Sequence, residues 1–255
     1  MAYSTFERWS GSAWVDESSL IRLTVEDTIY KPQTATISIA DPQNTIAANY
    51  SPFQKVRIKE GKSKIIIFYG QIINILPEND NQYGQVVVLE CADALDELRN
   101  RDMLVDYSTT QNTNWLRKGY LIRDILQGYS TTHPAHAYSG TITLNTTKFA
   151  ASTVAESGNR KWNFKSQGSG KSVLDTIGKL AASDPHSTNR ESFGYAFHLD
   201  YRTSGNTVYS DFNYFKRGAR TPFQSTVANF KGAWIEYPIA TNFTTTGLKQ
   251  LMFPD

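Results

Sequence analysis

"KIIIFYGQIINILPENDNQYGQVVVLECADALDEL", residues 64–98, is the stretch that decides the fold. Two nearly continuous apolar runs flank the turn-forming cluster "PENDNQYG", residues 77–84. Runs of this kind read as strands with both faces covered. Gly70 interrupts the first run, and a glycine inside a strand marks a bulge or a sharp bend, as a small closed barrel needs. The second run leads into Ala92-Asp93. Asp93 is placed to cap a short helix, "ALDELRNRD", with Asp96 three residues on completing a loose capping box. Leu95 and Leu98 give that helix one apolar edge.

On the N-terminal side the pattern has period two. "LIRLTVED" sets Ile21, Leu23 and Val25 against Arg22, Thr24 and Glu26. "ATISIAD" repeats this with Ala35, Ile37 and Ile39, and "QKVRIKEG" places Val56 and Ile58 between Lys55, Arg57 and Lys59. Alternation means one buried and one solvated face, the habit of antiparallel sheets, so the first third predicts a small antiparallel barrel. On the C-terminal side, "LRKGYLIRDILQGY" predicts a helix with Leu121, Ile122, Ile125 and Leu126 on one face and Gly128 at its end. "STTHPAHAYSG" and "TVAESGNR" read as loops around the short strand "GTITLNT". "GYAFHLDYR" and "TVYSDFNYF", turned by "SGN" at 204–206, form a strong hairpin pattern. In the tail, Pro238 argues against a central strand.

The chain has 255 residues, enough for one large β-rich domain or two small ones. A formal net charge of +2 gives no sign of wholesale binding to nucleic acid or anionic membranes. Aromatics at 13% favour strands. With Cys91 alone there is no intramolecular disulfide framework. No secretory signal is expected at the start, and no apolar run is long enough for a membrane-spanning helix.

Several stretches invite chemistry, and each has a plainer reading. "FKSQGSGKSVLDTIGKLA" (residues 164–181) carries Gly170-Lys171-Ser172 ahead of a helix, as phosphate loops do. The leading glycine of that pattern belongs at 165, where Lys165 stands, and Gly168 is too close to replace it. The helix has an apolar face of Val173, Leu174, Ile177, Leu180 and Ala181, with Ser172 and Asp175 as a capping box. His133 and His136 lie in a proline-containing loop without the spacing of a zinc site, and neither His186 nor His198 adds one. Cys91 is flanked by apolar strand and reads as a buried, inert thiol. The carboxylates of Asp96/Glu97 and Glu26/Asp27 are sequence neighbours and point apart. "KVRIKEGKSK" reads as the solvated face of an edge strand rather than a nucleic-acid stripe, since no aromatics interleave it. No catalytic, cofactor or metal site is expected.

The order of elements says more than any of these motifs. Ser51-Pro52-Phe53 precedes the strand of Val56-Arg57-Ile58. Phe68-Tyr69-Gly70-Gln71-Ile72 follows, then an apolar strand into Ala92-Asp93 and the helix of Leu95 and Leu98. This succession resembles the N-terminal barrel of phage tail baseplate hub proteins. The resemblance extends to the late-control family of contractile tails and the heads of type VI secretion spikes. Residues 68–72 are similar to the family's F-x-G-x-I strand. "WNF" (residues 162–164), "SVLDTIGKLA" and the 195–214 hairpin are similar to its second barrel.

The resemblance implies a mainly β (α+β) fold of two small antiparallel β-barrels with helical insertions between them. The first barrel would occupy 1–95, the insertion 96–155, and the second, shortened barrel 156–255. It implies a non-enzymatic virion protein without cofactors, a tail or baseplate hub assembled in the host cytoplasm. As a homotrimer it would form a pseudo-hexameric ring between a tail tube or tube adaptor and a spike, with DNA passing through the lumen. Which residues make those interfaces is not implied. The alternative reading is a carbohydrate-binding module of a tail tip, with Trp9, Trp14, Trp162 and Trp234 stacking on sugars.

Overall fold

A computed structural model of the chain describes residues 4–28, 30–43, 45–61, 63–104, 118–128, 142–149, 172–182 and 195–216. The fold is mainly β with a few helices. The first seven strands are β1 (Thr5–Trp9), β2 (Trp14–Asp16), β3 (Leu20–Glu26), β4 (Thr34–Ala40), β5 (Lys55–Lys59), β6 (Ile66–Asp80) and β7 (Gly84–Asp93). They form one antiparallel sheet in the order β2-β1-β5-β6-β7-β4-β3.

The quoted stretch is the spine of this sheet. β6 pairs with β5 on one side and with β7 on the other. A Cβ added at Gly70 would stand 2.1 Å from the carbonyl oxygen of Ala92 and 2.9 Å from Cζ of Phe68. The glycine therefore lets β6 and β7 approach closely, while the irregularity in the ladder falls between Ile72 and Asn74. A second irregularity, between Leu20 and Arg22, makes Ile21 the extra residue. Leu20, Leu23 and Val25 then pack on the core, in place of the expected row that began with Ile21.

Phe6, Ile37, Ile39, Val56, Ile58, Phe68, Ile72 and Leu89 are completely buried in that core. Side chains of β1 and β4 share it although β5, β6 and β7 lie between them, so the sheet curls strongly. Residues 17–19 span the two margins, with Glu17 N–H donating to the Phe6 carbonyl (3.0 Å) and Ala40 N–H to that of Ser19 (3.0 Å). No strand ladder closes the curl among the described residues. With β2 only three residues long, the expected barrel is a curled sheet with two margins, β2 and β3.

The second sheet has the order β8-β10-β9, from β8 (Ile142–Phe149), β9 (Tyr195–Ser204) and β10 (Thr207–Lys216). β9 and β10 form the expected hairpin, with Ser204 opposite Thr207 and Gly205 at φ +58° in the turn. β8 pairs with β10 in parallel, where an antiparallel barrel was expected. A parallel pair needs a long crossover, and the chain between these two strands includes a helix and β9.

The helices are α1 (Leu95–Arg99), α2 (Lys118–Gln127) and α3 (Val173–Ala182). The apolar faces read from the sequence of α2 and α3 are the buried ones. Together with Leu95, Leu98, Phe197, Leu199, Phe212 and Tyr214 they form a second core. Ser172 caps the start of α3, its hydroxyl accepting the Asp175 N–H at 3.0 Å, which is one half of the expected capping box. Gly128, at φ +62°, ends α2 with its N–H on the Asp124 carbonyl. Asp93 holds the start of α1 through the Leu95 N–H (2.9 Å), whereas Asp96 turns to Arg99 and to Asn100 Nδ2 (3.2 Å) instead of closing a capping box.

Candidate functional site: the seam between the sheets

The richest polar and aromatic constellation lies where the curled sheet meets the second one. The link between β3 and β4 reaches across. Tyr30, at φ +63°, sets its ring 5.3 Å from that of Phe197. It also lies against α3, where a Cβ added at Gly178 would stand 3.6 Å from Cβ of Tyr30. Gln33, three residues on, joins three strands. Its carbonyl accepts the Asp93 N–H (3.0 Å), its Nε2 donates to the Ile67 carbonyl (3.1 Å), and its Oε1 accepts the Tyr201 hydroxyl (2.8 Å).

Tyr201 continues into an aromatic ladder. Tyr69 lies 6.2 Å from it edge-on, Trp14 6.2 Å from Tyr69, and Trp9 5.2 Å from Trp14. The Trp14 indole N–H donates to the Asn206 carbonyl in the β9–β10 turn (2.9 Å), and Arg57 covers its ring at 4.2 Å. Glu7 receives both Arg57 and Lys59, the latter at 2.9 Å. Burial raises the Glu7 carboxyl, but the hydrogen bonds from these two cations prevail and hold it below the ordinary range.

Asp93 is the group of most interest chemically. It is 2% exposed, and burial pushes its carboxyl up to about 8. Backbone N–H groups of Gln33 and Leu95 oppose that shift, while Asp27 and Asp96 add to it. Burial also raises the Tyr201 phenol, with Asp93 and Asp27 contributing. Asp27 is raised by desolvation and eased by His198, but the residue is largely open to water and its effect is the smaller one. A buried, protonated carboxyl can donate as well as accept, and it adds no charge to the seam near neutral pH. Its carboxyl oxygens accept from the backbone N–H groups of Gln33 and Leu95, which ties β7 to the link before β4 and to the start of α1.

The residues singled out in the sequence are dispersed. Lys165, Gly168, Gly170, Lys171, His133, His136, His186, Trp162, Trp234 and Pro238, with the 153–160 loop, lie outside the described residues. His198 sits on β9, 3.5 Å from Asp200 and 3.3 Å from Asn213. Cys91 is buried, and desolvation raises its thiol. Asp96 pairs with Arg99 and Glu97 with Arg101 (3.4 Å), so those two carboxylates serve separate ion pairs. β5 is an inner strand, not an edge, because β1 pairs along its outer side. Two of its cations are spent on Glu7. Trp9 and Trp14 are half-buried and engaged within the molecule. Sequence patterns do not single out Tyr30 and Gln33, whose roles depend on residues far along the chain, Phe197 and Tyr201. The one local hint is the turn-like "YKPQ" between two strands.

No protein family and no curated protein matches the sequence. Among solved structures, the chain is similar to the tail protein from Neisseria meningitidis MC58, at 9% identity and a TM-score of 0.43, covering 82% of this chain and 51% of that one. It is similar to the E. coli c3393 protein, at 10% identity and a TM-score of 0.43, covering 84% and 45%. That protein is described as a component of the type VI secretion system with structural similarity to the T4 bacteriophage tail proteins gp27 and gp5. It is also similar to the 43 kDa tail protein of prophage MuSo2 from Shewanella oneidensis, at 11% identity and a TM-score of 0.48, covering 86% and 54%. The chain spans about half the length of each. Likeness at this level assigns no activity, substrate or partner.

Proposed function

We propose that the chain is a structural tail protein of a virion or related contractile injection system, a baseplate hub without enzymatic activity. The observation that carries this reading is the order of elements about Gly70. A strand with the F-x-G-x-I pattern packs its glycine against the next strand, which runs directly into a short helix shared with a second sheet. Two β units joined by helices, proposed as 1–95 and 156–255 with 96–155 between them, would each supply one sixth of a ring, β8 of the 96–155 insertion adding a strand to the second unit. Three copies would then meet a hexameric tail tube or tube adaptor on one side and a trimeric spike on the other, with DNA passing through the lumen. Closure of each unit into a barrel would come with that assembly. Such a ring is heterologous and closes only if each subunit's contact rotates by one third of a turn. Assembly would take place in the host cytoplasm.

A carbohydrate-binding tail-tip module finds less support, because Trp9 and Trp14 pack on each other and Trp14 also engages Arg57 and the Asn206 carbonyl. Multi-angle light scattering on the purified chain, alone and with its neighbouring tail proteins, tests the hub reading. Trimers with threefold rings in electron micrographs are expected. A monomer that stays single with those partners present and binds glycans on an array would refute it.

A further inference from the structure

We propose that β3 pairs with β3 of a second copy of this chain, antiparallel about Thr24, to continue the curled sheet across a two-fold axis. β3 is seven residues long and pairs only with β4 among the described residues, none of which takes up its outer backbone groups. It lacks proline and lysine, two common guards of such edges. Its core-facing row is unfinished: Leu23 and Val25 pack on the first core but remain half-buried at the margin.

The strand's own sequence names the occupant. With Thr24 opposite Thr24, Arg22 faces Glu26 of the partner and Glu26 faces its Arg22, while Leu23 and Val25 face each other on the core side. Arg22 and Glu26 are exposed, on the same face as Thr24, and neither has an ion-pair partner among the described residues. Opposite charges directly across an antiparallel pair stabilise it, and two-fold symmetry supplies the contact twice. A second copy matches this row because Arg22 and Glu26 stand symmetrically about Thr24. β2, the opposite margin, has three residues and offers no comparable row. The pairing is short, which places it among weak, concentration-dependent contacts. It is isologous, unlike the heterologous ring contact, and does not depend on the hub reading.

The test is sedimentation velocity over a concentration series on the full chain, its Arg22→Glu and Glu26→Arg variants, and an equimolar mixture of the two. Each variant alone sets like charges opposite, and its dimer dissociation constant should rise on the order of tenfold. The mixture restores both opposite-charge pairs and should recover the association. Thr24→Cys should cross-link to a dimer under mild oxidation, because directly opposed residues lie within disulfide reach and Cys91 is buried. Ile21→Cys should not. Self-association indifferent to both charge variants, a mixture no better than its parts, or no cross-link through position 24 would each overturn the pairing. A trimer showing that indifference would sink the β3 contact and leave the ring reading standing. A dimer obeying the charge pattern would support the β3 contact and leave the ring reading to its own test.

Discussion

Raising the pH should loosen this protein through one side chain, Asp93. In the unfolded chain an aspartate titrates near 3.8, whereas in the seam its carboxyl is pushed up to about 8 by burial. Between those values the folded state holds a proton that the unfolded state has released. Stability is therefore fully present below the lower value, falls as pH rises between the two, and levels off once the folded group has ionised. The gap is about four units at ~1.4 kcal/mol each, so the ceiling on the loss is on the order of 6 kcal/mol. A typical domain has about 5–15 kcal/mol in total, so the effect is large. Asp27, also raised, acts in the same direction. Asp93→Asn keeps an oxygen for the Leu95 N–H and removes the titration. Urea unfolding at pH 5, 7 and 9 should show a steep decline for the unaltered chain and a much flatter profile for the variant. At pH 9 the variant should be the more stable. Parallel declines in the two proteins would refute the argument that Asp93 is the buried acid responsible.

Gly70→Ala should cost about 3 kcal/mol or more in urea unfolding, since its Cβ would meet the Ala92 backbone at 2.1 Å and neither central strand can yield. Alanine at Gly84 or Gly205, where the space is open but φ is positive, should cost about 1 kcal/mol. Gln33→Ala should destabilise by about 2 kcal/mol, because it removes the acceptor of the Tyr201 hydroxyl and the donor to the Ile67 carbonyl. Gln33→Glu can serve both partners only while protonated, since its carboxylate accepts from Tyr201 but cannot donate to the Ile67 carbonyl, so it should lose stability as the pH rises. Ser172→Ala should cost about 1 kcal/mol by removing the α3 cap, seen as earlier melting in circular dichroism.

Much of this fold is legible residue by residue. The helix faces of α2 and α3 follow from 3.6-residue spacing, and both bury the side chains that spacing selects. The β9–β10 hairpin follows from alternation around a glycine turn, and the inert Cys91 from its apolar flanks. Local rules miss the bulge at Ile21, which moves Leu20 into the core, and the inner position of β5, which spends its cations on Glu7. They miss the parallel pairing of β8 as well. Each of these depends on which strand lies alongside, and alternation along one strand carries no label for its neighbour.

The sequence by itself determined the β-rich character, the faces of the longer helices, the turn at 204–206 and the glycine at the centre of the sheet. These are short-range matters of backbone freedom, side-chain periodicity and capping. Tertiary structure alone decided the seam. Gln33, Tyr201 and Asp93 meet only once the sheet has curled and the second sheet has docked on it. Asp93 reads as an ordinary helix cap from its neighbours, yet its proton affinity is set by water removed by distant residues. Burial is a property of the assembled fold, and no local pattern encodes it.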